Sequence, residues 1–292
     1  MRACYYRIAN HLFAISLPKV WNIETLFPTL KPFEATPTAT EEILFSLTFS
    51  PIHTPMNMEE MISFEWDDAS CNIRQTANEY LITILPFHDS VEGQMLVDKH
   101  FTHATVEATN HEVLSSFVAG NFLMMLFAFA TAPHGTLMFH ASVIRRQGYG
   151  YLFLGKSGTG KSTHSRLWLE HIPDTDLLND DNPIVRIYPT GEVIVYGSPW
   201  SGKTPCYRNE EVPVGAIVRL KQAPHNQIQQ EKTVQAFASI LPSCSCLRQD
   251  KRLFDALCDT VSRIATSTPV YLLECLPNQE AAFLCHQTIR KA

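Results

Sequence analysis

Two stretches of this chain carry the same pattern, a glycine, four residues, then Gly-Lys and a hydroxyl: GKSGTGKS at 155–162 and GSPWSGKT at 197–204. In a loop of this kind, backbone N–H groups converge on phosphate oxygens, the lysine reaches the terminal phosphates and the Ser or Thr hydroxyl meets Mg2+. Four fixed letters recur by chance on the order of once in a hundred chains of this length, so the flanking sequence has to decide between them. A third feature, the doublet Asp180-Asp181, is of the type that phosphoryl transfer needs: one carboxylate to hold a metal, one to orient or deprotonate an acceptor hydroxyl.

A working phosphate loop needs a strand to aim it, glycines to let the N–H groups converge, and a helix whose N-terminus faces the anion. The first loop has all three. YLFL at 151–154 reads as a buried strand, Gly155, Gly158 and Gly160 relax the backbone, and Ser162 and Thr163 open a helix with Leu167, Trp168 and Ile172 on helical spacing, closed by Pro173. The run Gly155, Lys156, Ser157, Gly158, Thr159, Gly160, Lys161, Ser162, Thr163 is therefore expected to bind nucleotide, with Lys161 at the β- and γ-phosphates and Ser162 on Mg2+. The second loop has only Gly197 and Gly202, with the stiff Pro199 and bulky Trp200 between them, and it runs into PCYRNEEVP rather than a helix. It reads as a stiffened turn that presents Lys203, with Arg208 beyond it, to the acceptor side. Between Lys161 and Asp180 there is room for one helix, a turn and the very next strand, a compact arrangement for such a site. Asn182-Pro183 is also a turn signal, so the doublet taken alone fits a solvated strand end.

The elements that must position these residues follow from pattern. TLMFHASVI and GYGYLFLG are β-rich runs joined by the hairpin-like RRQG; DLLNDD, PIVRIY, EVIVYG, VGAIVRL and VYLLEC supply further strands. Helices are expected around 248–266 and from about residue 278. Residues 1–100, with EEILFSLTF, MISFEW and EYLITILPF broken by Pro and Asn, form a β-rich N-terminal region, and 101–292 form the nucleotide-binding domain. From Asn110, a candidate N-cap, a helical stretch runs to the stop at PHG, 133–135. Its apolar run from Phe117 is interrupted by Gly120 and Asn121 and is shorter than the roughly 18–20 residues of a span, so it reads as a buried helix. At a net charge of -6 the 292-residue chain has no general attraction for nucleic acid or an anionic membrane. The start is strand-like rather than a signal peptide, and eight scattered cysteines without zinc spacing suit a reduced, cytoplasmic setting. No repeat of 20–50 residues is found.

Taken together, FHASVI, GYLFLGKSGTGKSTHSRLWL and LLNDD resemble the C-terminal catalytic domain of bacterial HPr kinase/phosphorylase. There a His-bearing strand, a G-x-S-G-x-G-K-S loop and an Asp-Asp doublet follow at similar spacings. The SGTGK[ST] core and the doublet also occur in phosphoenolpyruvate carboxykinase, whose nucleotide fold is related. The resemblance covers roughly residues 135–200 well. It implies an α/β P-loop kinase domain, a mixed sheet flanked by helices behind a small β-rich N-terminal segment, using ATP and Mg2+. It also implies that Asp180 and Asp181 are the metal-binding and acceptor-activating carboxylates, in either order, with Ser162 and Asp180 on the metal. His140 is implied to lie on the strand beside the loop, near the transferred phosphate. The Gly/Arg-rich segment tied to HPr handling is missing, and GSPWSGK occupies that region, so HPr is not implied as the acceptor. The expectation is a kinase that transfers the γ-phosphate of ATP to a hydroxyl, serine foremost, on a small protein, a peptide or a small molecule. A non-catalytic ATP-binding accessory or sensor protein is the alternative; a carboxykinase acting on oxaloacetate fits less well, because those enzymes are far longer.

Overall fold

The computed structural model describes residues 1–66, 68–88, 92–107, 114–202 and 204–291. The chain divides into two compact units, Met1–Thr131 and Ala132–Ala292. Both are mixtures of sheet and helix, and both sheets mix parallel and antiparallel pairing.

The first unit holds β1 (Arg2–Ile8), β2 (His11–Leu17), α1 (Ile23–Leu26), β3 (Phe45–Phe49), β4 (Glu59–Trp66), β5 (Ala69–Gln75), β6 (Glu79–Pro86), β7 (Gly93–Asp98), β8 (His103–Val106) and α2 (Ser116–Thr131). The strands form one sheet in the order β1-β2-β3-β8-β7-β6-β5-β4. Strict alternation in β3 and β7 buries one face of the sheet. Against it α2 contributes Phe127, whose ring packs with Phe13 and Phe45 at 6.1 and 6.5 Å. By length and composition α2 and its continuation to His134 are apolar enough to cross a membrane, yet most of that segment is buried, as expected of a core helix. The unit ends at Thr131 rather than near residue 100. The reason is non-local: β8 pairs in parallel with β3, and α2 packs on α1 and β7. The helix start expected at Asn110 lies outside the described residues.

The second unit holds β9 (Thr136–Met138), β10 (Ala141–Arg146), β11 (Tyr149–Leu154), α3 (Lys161–His171), β12 (Thr175–Asn179), β13 (Ile184–Ile187), β14 (Val193–Tyr196), β15 (Glu211–Gln222), β16 (Gln227–Gln230), α4 (Thr233–Ile240), α5 (Lys251–Ser267), β17 (Val270–Cys275) and α6 (Gln279–Ile289). The sheet runs β12-β10-β11-β15-β14-β13-β9, with β17 also against β15 and β16 against β17. The β10–β11 hairpin turns at Gln147-Gly148, both at positive φ, as the RRQG sequence predicts. Helices α5 and α6 start where Asp250 and Asn278 accept backbone N–H groups, from Leu253 and Ala281.

One face of β11 and β15 packs under α3 and α6 around Trp168, which is fully buried among Tyr151, Phe153 and His286. This core fixes α3, and hence the loop that precedes it, to the end of β11. Trp168→Ala is expected to lower the unfolding free energy by about 3–5 kcal/mol. Urea denaturation measures it; a loss below about 1 kcal/mol would mean that α3 is held some other way.

Candidate functional site

Strand direction brings the expected residues to one sheet edge. β10 is antiparallel to both β11 and β12, so the start of β10 meets the ends of the other two, with Ala141 opposite Leu154 and Val143 opposite Asn179. His140 precedes β10, Gly155 follows β11 and Asp180 follows β12. His140 sits in a bend just before the strand rather than within it. Its N–H is held by the Ser243 carbonyl at 2.7 Å, and the next N–H, of Ala141, by the Asp181 carbonyl at 2.9 Å.

In the loop between β11 and α3, two of the three glycines, Gly158 and Gly160 but not Gly155, stand at positive φ. Gly158 and Gly160 take φ of +78° and +106°, a region costly for other residues, and Gly160 is the N-cap of α3. Having no side chain, Gly160 leaves the first N–H groups of α3 available to an anion, which the helix end favours.

Lys161 opens α3 and is 8% exposed. Its Nζ donates to the Gly155 carbonyl at 3.0 Å and lies 2.8 Å from His140 Nε2. His140 Nδ1 is in turn 3.0 Å from Asp181 Oδ1. An ammonium can only donate, so these contacts assign the acceptor role to Nε2 and the proton to Nδ1. Burial pulls the Lys161 pKa below its ordinary value, and the nearby charges of Asp181 and Asp180 oppose that pull.

Asp180 is buried, and its Oδ1 accepts from Ser142 Oγ at 3.2 Å; Ser142 Oγ is 2.7 Å from Ser165 Oγ on α3. Asp181 is more open: its N–H donates to Asn179 Oδ1 and its Oδ2 accepts from Asn182 Nδ2. Ser162 is exposed on the first turn of α3. Among the described residues no three or more His, Cys, Asp or Glu groups converge on a metal position. Two carboxylates and a hydroxyl suit Mg2+ only where phosphate oxygens and water complete an octahedron, which is how this ion is ordinarily held beside phosphates.

The second loop lies against the same doublet. Asn179 Nδ2 donates to Ser198 Oγ and to the Trp200 carbonyl, both at 3.1 Å, and Ser198 Oγ donates to the Asn182 carbonyl at 2.6 Å. A Cβ on Gly202 would stand 3.2 Å from Asp181 Cβ, and one on Gly197 would stand 2.1 Å from the Arg208 carbonyl oxygen. Close backbone approach, rather than phosphate, thus accounts for both glycines of this pattern. Lys203 lies outside the described residues. Arg208 is not brought to the doublet. It donates to Asp176 Oδ2 at 2.7 Å, three residues before Asn179 and so about 10 Å back along β12. Asp176 also binds Arg145, which itself pairs with Glu210. The Arg145 hydrogen bond first, and that of Arg208 after it, hold the Asp176 carboxyl below the usual range.

Ser142, Ser165 and Asn179 went unnoticed in the sequence, although spacing offered a signal. Ser142 stands two residues after His140, and Ser165 one helical turn after Lys161. Two cavities flank the loop tip, and both are lined by Gly158 and by Gln222, whose Nε2 donates to the Gly158 carbonyl at 3.2 Å. One, about 660 Å3, is lined by Thr163, His164, Leu167, Leu220, Leu276 and Pro277 among others; the other, about 510 Å3, has His140, Lys156 and Arg219 in its walls.

Fold and site together define a two-unit α/β protein whose second unit carries a glycine-rich loop at a helix N-terminus beside paired carboxylates. No family model matches the chain, and no curated protein matches its sequence. Among solved structures the chain is similar to the HPr(Ser) kinase/phosphatase from Coxiella burnetii, over 52% of this chain and 93% of that one, at 14% identity and a TM-score of 0.31, a distant structural relationship.

Behind the loop, His164 is buried against Phe153 and accepts from Trp168 Nε1 at 3.1 Å. Burial pushes its pKa down from 6.5 to about 4. Between those values the unfolded chain binds a proton that the folded one does not, so stability is full above pH 6.5 and falls as the pH drops towards 4. From pH 7 to pH 5 wild type is expected to lose about 2 kcal/mol more than His164→Gln. Chemical denaturation at the two pH values measures this; equal losses would contradict it.

Proposed function

We propose that the protein is an ATP-dependent, Mg2+-requiring phosphotransferase that moves the γ-phosphate to a hydroxyl group. The observation that carries this reading is the chain of contacts Gly155–Lys161–His140–Asp181, with Asp180 beside it, at the N-terminus of α3. A buried ammonium, free helix N–H groups and two carboxylates in one place suit the charge of a transferring phosphoryl group better than any other task. The reading also agrees with the spacing of loop and doublet in the sequence.

In this reading the loop N–H groups and Lys161 take the β- and γ-phosphates, Lys161 exchanging the Gly155 carbonyl and His140 for phosphate oxygens. Asp180, held by Ser142, and Ser162 would hold Mg2+, which offsets the charge on the bridging and terminal phosphate oxygens. Asp181 takes the acceptor proton as the acceptor oxygen bonds to the γ-phosphorus and the bond to the leaving ADP oxygen breaks. His140 Nδ1–H, donating to Asp181 Oδ1, holds that carboxylate turned towards the acceptor. The larger cavity, with Leu167, Leu220, Leu276 and Pro277 in its wall, would take the base and ribose.

The test uses the full chain with γ-labelled ATP, Mg2+ and a cell extract as the source of acceptors. Wild type is expected to label an acceptor, Asp181→Asn to label it at least about 100-fold more slowly with ATP binding little changed, and Lys161→Met to lose ATP binding. A wild type that binds ATP and neither transfers nor hydrolyses it would overturn the reading in favour of an accessory protein.

A further inference from the structure

The smaller cavity has a charge pattern that phosphate binding by the loop does not require. Leu220 of β15 points into the Trp168 core, so Arg219 and Lys221 share the opposite face of that strand, where both line the cavity. Lys221 is paired with Glu274 at 2.8 Å. Arg219 is less well matched. Its Nη2 is 3.5 Å from Glu231 Oε1, its Nε is buried without an acceptor, and Glu231 Oε2 is buried without a donor. The rest of the Arg219 side chain is open, at 41% exposure, and lines the cavity, so its outer guanidinium N–H groups are left for an acceptor that enters there. Lys156, exposed on the loop, adds a cation with no ion-pair partner among the described residues. His140 closes the same cavity, and it touches both Lys161 and Asp181.

Register fixes the scale. Ala141 of β10, Leu154 of β11 and Arg219 of β15 stand in one row across three neighbouring strands. The residue after His140 is therefore about 10 Å from Arg219 across the sheet. A small molecule can reach from one to the other.

We propose that this cavity binds the phosphoryl acceptor, and that the acceptor is a small hydroxylated anion. Its carboxylate or phosphate sits on the Arg219 guanidinium, with Lys156 adding positive potential, and its hydroxyl lies at the His140 end facing Asp181. The hydroxyl oxygen bonds to the γ-phosphorus, the bond to the ADP oxygen breaks, and the hydroxyl proton passes to the Asp181 carboxylate. This assignment rests on the phosphotransferase reading above, and it makes Arg219 the residue that selects a charged acceptor over a neutral one.

The test is calorimetric titration of the full chain with D-glycerate, with glycerol 3-phosphate and with the neutral control glycerol, each with and without Mg2+ and a non-hydrolysable ATP analogue. At least one anion is expected to bind, glycerol is not, and which anion binds separates carboxylate from phosphate recognition. Arg219→Met is expected to weaken anion binding at least tenfold. Because that change strands Glu231, Ala238→Trp, which fills the cavity from an exposed position on α4, is expected to give the same loss on an intact fold. Failure of both anions to bind, equal binding by both variants, or displacement of the anion by the ATP analogue would each overturn the proposal. Arg219-dependent anion binding in a protein that binds no ATP analogue would instead sink the phosphotransferase reading and leave the anion site standing.

Discussion

An ammonium group taken out of water must be met by acceptors and by negative charge, because desolvating it costs several kcal/mol. In this protein that group is Lys161, and the second unit is arranged around meeting its needs. The Gly155 carbonyl and His140 accept its protons, and the carboxylates of Asp181 and Asp180 supply the charge. None of these is near Lys161 by chance. The antiparallel run of β10 between β11 and β12 puts one strand start and two strand ends at a single edge, and the Trp168 core holds α3 over it. Under the proposed function, phosphate oxygens take over from the Gly155 carbonyl and His140 as acceptors of this ammonium.

The two loops that share one letter pattern show how little the letters alone carry. In GKSGTGKS, Gly158 and Gly160 are needed for their positive φ, and a helix follows at once. In GSPWSGKT, Gly197 lets two backbones meet and Gly202 lets the loop lie against the doublet. The second loop is consequently part of the site by a different route: Asn179 ties it to the end of β12, so it frames the carboxylates instead of cradling an anion. It lies close to Asp180-Asp181, while its Lys203 falls outside the described residues.

Local physics was readable in the sequence and non-local pairing was not. The RRQG turn, the start of the last helix near residue 278, the strand-loop-helix frame of GKSGTGKS and the burial of the apolar helix all depend on residues a few positions apart, which is the range over which periodicity and turn chemistry act. The end of the first unit depends on β8 lying beside β3, a partnership that no local pattern announces. Arg208 misled for the same reason. Its partner Asp176 is distant in sequence, and only the pairing of β12 into the sheet brings the two together with Arg145. Arg219 likewise reads as one cation in an apolar strand, and the neighbours that give it meaning, Leu154 across the ladder and Glu231 beyond β16, come from topology.

A crystal structure of the full chain with Mg2+ and a non-hydrolysable ATP analogue measures the central claim most directly. The Lys161 ammonium is expected to leave the Gly155 carbonyl and lie about 3 Å from a β- or γ-phosphate oxygen, with the phosphates over the N-terminus of α3 and the metal between them and Asp180. An analogue seated elsewhere, with Lys161 still on Gly155 and His140, would contradict it.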